Sequence, residues 1–154
     1  MSRYALGGWE IDGIAVLQSG LPFTVGAPSA TNNGVGSRAD VVAGVDPYPA
    51  KRTINLWFNP AAFSIPPAGS YRYGNSGRGI LNGPRAANFD VIAAKRFLFT
   101  ETRQLIFRAE FFNAFNHPQF TIPGNTTVGS NGVGSITSTA RPSRQIQFAL
   151  KLMF

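Results

Sequence analysis

The chain has 154 residues, with 14 Lys or Arg against 7 Asp or Glu, a formal net charge of +7, 13 Phe, 17 Gly, 11 Pro and no Cys. Charged residues make up only 14%, against about 25% in ordinary soluble domains, too few to cover a soluble surface well. The lack of Cys excludes disulfides, thiolate metal sites and a cysteine nucleophile. No apolar run approaches the ~20 residues of a membrane helix, and mean hydropathy is near zero. Low charge and many aromatics without such a run fit a membrane β-barrel, whose strands alternate apolar with polar residues. The basic residues are spread from Arg3 to Lys151 in runs no longer than two, so they read as scattered charges and not as a nucleic-acid patch.

In chain order, the first predicted strand covers about 8–25. Trp9, Ile11, Gly13, Ala15 and Leu17 form one face, and Glu10, Asp12, Ile14, Val16 and Gln18 the other, less cleanly. Residues 27–87, rich in Gly, Pro, Asn and Ser, read as a long loop. A second strand over 88–99 puts Phe89, Val91, Ala93, Phe97 and Phe99 together, with Lys95 as a defect. That lysine either snorkels toward the interface or is re-aimed by a β-bulge. The connection Thr100–Thr102 is short and odd in length, which pairs Phe97 with Leu105 and makes the apolar faces coincide.

The third strand, 103–116, places Leu105, Phe107, Ala109, Phe111 and Phe115 on one face. Residues 117–140 form a second long loop. The last strand, 141–154, would be roughly 45 Å long at ~3.3 Å per residue. It keeps a period of two through Ile146, Phe148, Leu150, Leu152 and Phe154. Two long loops on one side and a short turn on the other match outer-membrane barrels, where long loops are external and turns periplasmic.

The predicted fold is all-β: an antiparallel up-and-down transmembrane barrel segment of about four strands, one domain over 1–154. Four strands cannot close, so the piece alone should be an open curved sheet with poorly packed loops. Its start, MSRYALGGWEIDG, lacks a signal-peptide pattern. Export demands one, so the chain is expected to be a fragment.

Candidate sites are few. Phe154, closing a strand with Phe148, Leu150 and Leu152 on its face, is a candidate signal for the barrel-assembly machinery. An apolar end on an open strand edge can pair with another edge. Arg108 and Glu110 point the same way about 7 Å apart and are candidate lumen-facing charges. Glu10 and Asp12 share a strand face and read as solvated lumen charges. His117, the only histidine, lies beside Pro118 in a loop without evident ligand partners. The repeated NGVGS at 33–37 and 131–135 lacks the Lys and strand–helix context of a phosphate loop. No catalytic residue, metal site or cofactor is expected, and an enzyme is not.

The stretches Asn59-Pro60-Ala61-Ala62-Phe63, Gly74-Asn75, Gly83-Pro84, Arg108-Ala109-Glu110, and Phe112-Asn113 through Asn116-His117-Pro118, with the terminal RQIQFALKLMF, resemble the C-terminal end of TonB-dependent receptor-like proteins. The closest branch is the Oar-like, carboxypeptidase-regulatory-domain-containing type. The resemblance covers the chain from about Gly8 onward. It implies a plugged barrel of about 22 strands in the bacterial outer membrane and energy-coupled ligand uptake. Partners would be the rest of the barrel and its plug, outer-membrane lipid and the assembly machinery. The TonB complex would be met only through an N-terminal part that nothing here matches. Two alternatives stand beside this: a soluble β-rich module binding nucleic acid or polysaccharide, and a non-transporting outer-membrane adhesin.

Overall fold

A computed structural model describes residues 7–28 and 37–154. The strands are β1 (Trp9–Gln18), β2 (Pro22–Phe23), β3 (Gly26–Ala27), β4 (Ser37–Arg38), β5 (Asp40–Val41), β6 (Phe63–Ser64), β7 (Leu81–Asn82), β8 (Ala86–Leu98), β9 (Gln104–Phe112) and β10 (Gln145–Met153). The one helical element among the described residues is a 3-10 turn, Pro60–Ala62, and no helix is long and apolar enough to cross a membrane.

The chain divides into two compact units. The first is an antiparallel four-stranded sheet in the order β1-β8-β9-β10. Its strands are 9 to 13 residues long, enough to span a bilayer at about 9–11 residues per tilted strand. Phe97 pairs with Leu105, the register expected from an odd connection. At that turn the Phe99 N–H donates to the Arg103 carbonyl at 3.0 Å.

The long strands stop earlier than the alternation suggests. The first was expected to run to residue 25, but it leaves the sheet after Gln18, and Pro22–Phe23 pair with Leu81–Asn82 instead. Pro22 lacks a ladder N–H, which favours a short edge pairing over a central strand. The third ends at Phe112 and not near 116, because Asn113 takes a φ of +51° and turns the chain. The last begins at Gln145, four residues after the expected start at 141.

The second unit, Ser19–Arg85 with Phe120–Ala140, corrects a further expectation. The long loops are not poorly packed. Short pairings β2–β7, β3–β4 and β5–β6 surround a core of Phe23, Val25, Ala27, Ala39, Phe58, Ala62, Phe63, Leu81 and Val128. Phe58 is fully buried, with its ring 5.8 Å from Phe23 and edge-on to Phe63 at 5.9 Å. Burying one such side chain contributes about 1.5–3 kcal/mol, so a loop of this length can hold its own shape. Backbone crossings in the unit demand glycine. A Cβ on Gly20 would lie 1.9 Å from the Gly83 carbonyl oxygen, and one on Gly74 would lie 2.0 Å from that of Arg38.

Candidate functional site

The sheet has two faces of opposite chemistry, because strand side chains alternate and the register is unbroken. One row on the apolar face runs Ile11–Ala93–Ala109–Phe148, and its neighbour runs Gly13–Val91–Phe111–Ile146. Little covers these side chains: Ile11 is 73% exposed, Phe148 64% and Leu150 68%. Phe107 and Phe148 stack across β9 and β10 at 5.9 Å.

Lys95 interrupts the apolar face, in the row Trp9–Lys95–Phe107–Leu150. The ladder continues through it on both sides, which removes the β-bulge reading. Its ammonium instead lies 5.1 Å from the Trp9 ring and 5.5 Å from the Phe97 ring, and donates to the Gly7 carbonyl. Gly7 precedes β1, at the end of the sheet where the Thr100–Thr102 turn lies. The side chain thus bends one row toward the short-turn end while its stem stays among rings.

The opposite face carries the charge. Arg108 Nε meets Glu110 Oε1 at 2.8 Å, and Arg96 meets Glu10 at 3.7 Å. Asp12, Glu110 and Gln147 fall in one row. Such exposed pairs contribute about 0–1 kcal/mol each, so their value lies in the polarity they give this face.

At the long-loop end, a network of amides closes the sheet. Asp90 Oδ1 accepts from the Asn113 N–H at 2.8 Å and from Asn88 Nδ2 at 2.9 Å. The Asn113 side chain accepts the His117 N–H at 2.9 Å and donates to the His117 carbonyl at 3.0 Å. An asparagine tolerates the left-handed φ there better than other side-chain-bearing residues do. Gln119, 1% exposed, accepts the Ala87 N–H at 3.0 Å and donates back to the Ala87 carbonyl. Its amide takes the ladder place of a further strand residue. The Asn113–Gln119 stretch is therefore a built turn, and His117 contributes only its main chain to it. No group of three metal-capable side chains occurs among the described residues.

The loop unit is stapled by Asp40. Arg72 grips its carboxylate in a fork, both nitrogens at 2.7 Å, and the Asn75 N–H adds a third bond at 2.9 Å. Asn75 Oδ1 returns a bond to the Val41 N–H at 2.8 Å. The Arg72 fork, helped by the Asn75 N–H, lowers the Asp40 pKa from 3.8 to about 2, and the Asp40 carboxylate raises that of Arg72. Asn59 plays a similar local part: its side chain accepts the Ala61 N–H at 3.1 Å and donates to the Asp46 carbonyl at 3.0 Å.

A cleft of about 840 Å³ opens in the same unit, lined by Tyr48, Arg52, Trp57, Arg85 and Phe120 with Asn82 and Gly83. Asn82 of β7 ties its two rings together. The Asn82 N–H donates to Tyr48 Oη, and Trp57 Nε1 donates to the Asn82 carbonyl, each at 2.8 Å. Both rings are thereby fixed by their polar ends. The Arg52 guanidinium lies 3.7 Å from the Tyr48 ring centre and 5.6 Å from that of Trp57.

The residues singled out in the sequence lie mainly in the sheet. Phe148, Leu150 and Leu152 sit on the exposed apolar face of β10, and Phe154 follows the strand end, 94% exposed. Arg108 and Glu110 are brought together, whereas Asp12 joins neither ion pair of the polar face. Of the NGVGS copies, the first lies almost wholly outside the described residues. The second is a turn with positive φ at Gly132 and Gly134. Sequence reasoning missed the cleft, since Tyr48, Arg52, Trp57 and Arg85 carry no spacing signal and passed for loop residues. The interleaving of aromatic with basic residues over 48–57 was the one available hint.

A family model described as outer membrane beta barrel domain matches residues 1–147. No curated protein and no solved structure matches the chain.

Proposed function

The chain belongs to the outer membrane beta barrel domain family, and from that premise we propose that it forms part of the wall and external surface of a TonB-dependent receptor-like transporter. The observation that carries the reading is the apolar face, which extends over all four strands with Lys95 as its one interruption and is left uncovered. Lipid is the solvent that such a face fits. Four strands are half of the smallest bacterial membrane barrel, about eight, so the free edges of β1 and β10 pair with further strands. The polar face with Arg108 and Glu110 then lines the lumen, and the terminal Phe148, Leu150, Leu152 and Phe154 serve barrel assembly. The loop unit stands outside and meets ligand. The proposal assigns no reaction and no nucleic-acid partner to the chain.

Single-cysteine labelling of the intact protein in cells tests the reading: these 154 residues hold no Cys, and any Cys elsewhere in the protein is first replaced by Ser. Cysteines replacing Gln147 or Asp12 should react with a hydrophilic maleimide, and those replacing Phe148 or Ile11 should not. A cysteine at Lys51 should label in whole cells, and one at Glu101 only after the outer membrane is opened. Equal labelling of positions 147 and 148 would overturn the wall assignment. For transport, dissipating the proton gradient should abolish ligand accumulation that depends on this protein. Ligand held at the surface regardless of the gradient favours the adhesin reading, to which the loop unit's own core lends support.

A further inference from the structure

We propose that the Tyr48–Trp57–Arg85 cleft of the loop unit binds an acidic saccharide, a pyranose carrying a carboxylate. Three features of the cleft converge on that class. First, the guanidiniums of Arg52 and Arg85 have no carboxylate partner and donate no hydrogen bond among the described residues. None of the residues lining the cleft is acidic. Asp46, close in sequence, has its Oδ1 engaged by the Tyr48 N–H at 2.8 Å. A surface arginine usually finds an acid or lies loose in solvent, but the Arg52 guanidinium is held over the Tyr48 ring, 3.7 Å from its centre. Its N–H groups, engaged by no acid among the described residues, remain available for bidentate contact with a carboxylate.

Second, the aromatic wall is set before any ligand arrives. Tyr48 and Trp57 are both tied to the Asn82 main chain, so neither must be ordered on binding, and ordering costs are what weaken recognition of flexible ligands. Trp57 keeps partial exposure, and a pyranose presents a face of C–H groups that packs on an indole. Third, rings and polar groups share the lining: Ser19, Asn82 and the two arginines together with Tyr48, Trp57 and Phe120. A lipid chain would leave those polar groups unpaired, whereas hydroxyl-rich sugar rings satisfy them. The size of about 840 Å³ falls in the range of small-ligand sites and admits more than one sugar ring.

The inference rests on the external placement of the loop unit only for the source of the ligand; the binding chemistry stands without it. The test is isothermal titration of the full chain in detergent micelles with trigalacturonate, the neutral trimer of galactose, and sodium sulfate. Trigalacturonate should bind, with affinity falling as salt rises, at least tenfold more tightly than the neutral trimer. Sulfate should compete only weakly. Arg52→Gln with Arg85→Gln should weaken trigalacturonate at least tenfold and the neutral trimer by clearly less, because only the acidic sugar loses its charge-assisted contacts. Trp57→Phe should weaken both sugars, and Asp40–Arg72 pairing, read by acid sensitivity, reports that the variants keep the unit folded. Equal binding of wild type and the double arginine variant, or sulfate binding as tight as trigalacturonate, overturns the proposal. Failure here with correct cysteine labelling leaves the barrel-wall reading standing, and the reverse outcome separates the two in the other direction.

Discussion

Adjacent residues of β10 should respond oppositely to the same charge. Gln147 and Phe148 both lie near the middle of the strand, on the polar and the apolar face respectively. In a bilayer, Phe148→Arg carries a guanidinium to mid-depth, where such a charge costs about 2–4 kcal/mol on a barrel's lipid face. That is roughly 30- to 900-fold in the folding equilibrium at about 1.36 kcal/mol per decade. Gln147→Arg, one residue away, changes a surface polar group and should stay within about 0.5 kcal/mol. Phe148 also stacks on Phe107 at 5.9 Å, so part of any loss at 148 comes from the ring. Phe148→Leu isolates that part at about 0.5–1.5 kcal/mol. The assay is urea unfolding of the intact protein in lipid vesicles, with the folded fraction read by its altered gel mobility without heating. Equal losses for Gln147→Arg and Phe148→Arg, or a loss at 148 no larger than that of Phe148→Leu, would refute the assignment of faces.

Asn113→Ala should destabilise the sheet by about 2–3 kcal/mol, from two lost side-chain bonds and the left-handed φ; Asn113→Gly, which relieves the φ, should lose less in the same unfolding assay. Gly74→Ala should keep the loop unit from closing, because its Cβ would overlap the Arg38 and Ala39 carbonyls at 2.0 and 2.3 Å; new protease cuts within residues 37–85 would report it. Asp40 has a depressed pKa, so the stability it gives is complete above its ordinary value of 3.8 and drains as pH falls toward about 2. Protease resistance of the loop unit should therefore drop over that window, and Asp40→Asn should be weaker at neutral pH and flat across it.

Much of the sheet was legible in the sequence, and almost none of the loop unit. Strand alternation is a local signal, repeated every two residues, so four strands and the Phe97–Leu105 register follow from neighbours in the chain. The ends of the strands are set by interactions that alternation does not encode. Asn113 stops β9 through a bond to Asp90, 23 residues earlier, and Pro22 leaves β1 for a partner at Asn82. The same applies with more force to the staple, since Asp40 meets Arg72 across 32 residues. Arg52 and Trp57 are close in sequence, but what makes them a site is Asn82, 25 residues beyond Trp57. The motifs that carried the resemblance in the sequence act at this level. Asn59, Gly74-Asn75 and Asn113–His117 cap, cross or turn the backbone, and of the quoted motifs only Gly83-Pro84 lines the cleft.

The distribution of burial shows why the two units obey different rules. Among the described residues the buried apolar side chains are Phe23, Val25, Ala27, Ala39, Phe58, Ala62, Phe63, Pro66, Leu81, Pro123, Val128 and Ile136, all in the loop unit, and Ala109 alone in the sheet. The hydrophobic effect therefore holds the loop unit in water by the ordinary route. It gives the sheet almost nothing, since Ile11, Leu17, Phe148 and Leu150 remain exposed. Backbone ladders and a few modest ion pairs are left to hold the sheet, and in water an open edge and an apolar face favour association over solubility. In lipid the same face costs nothing to expose, and every unpaired ladder group becomes expensive instead. The pressure on this sheet is thus toward more strands at β1 and β10, and it does not call for a second layer over its face.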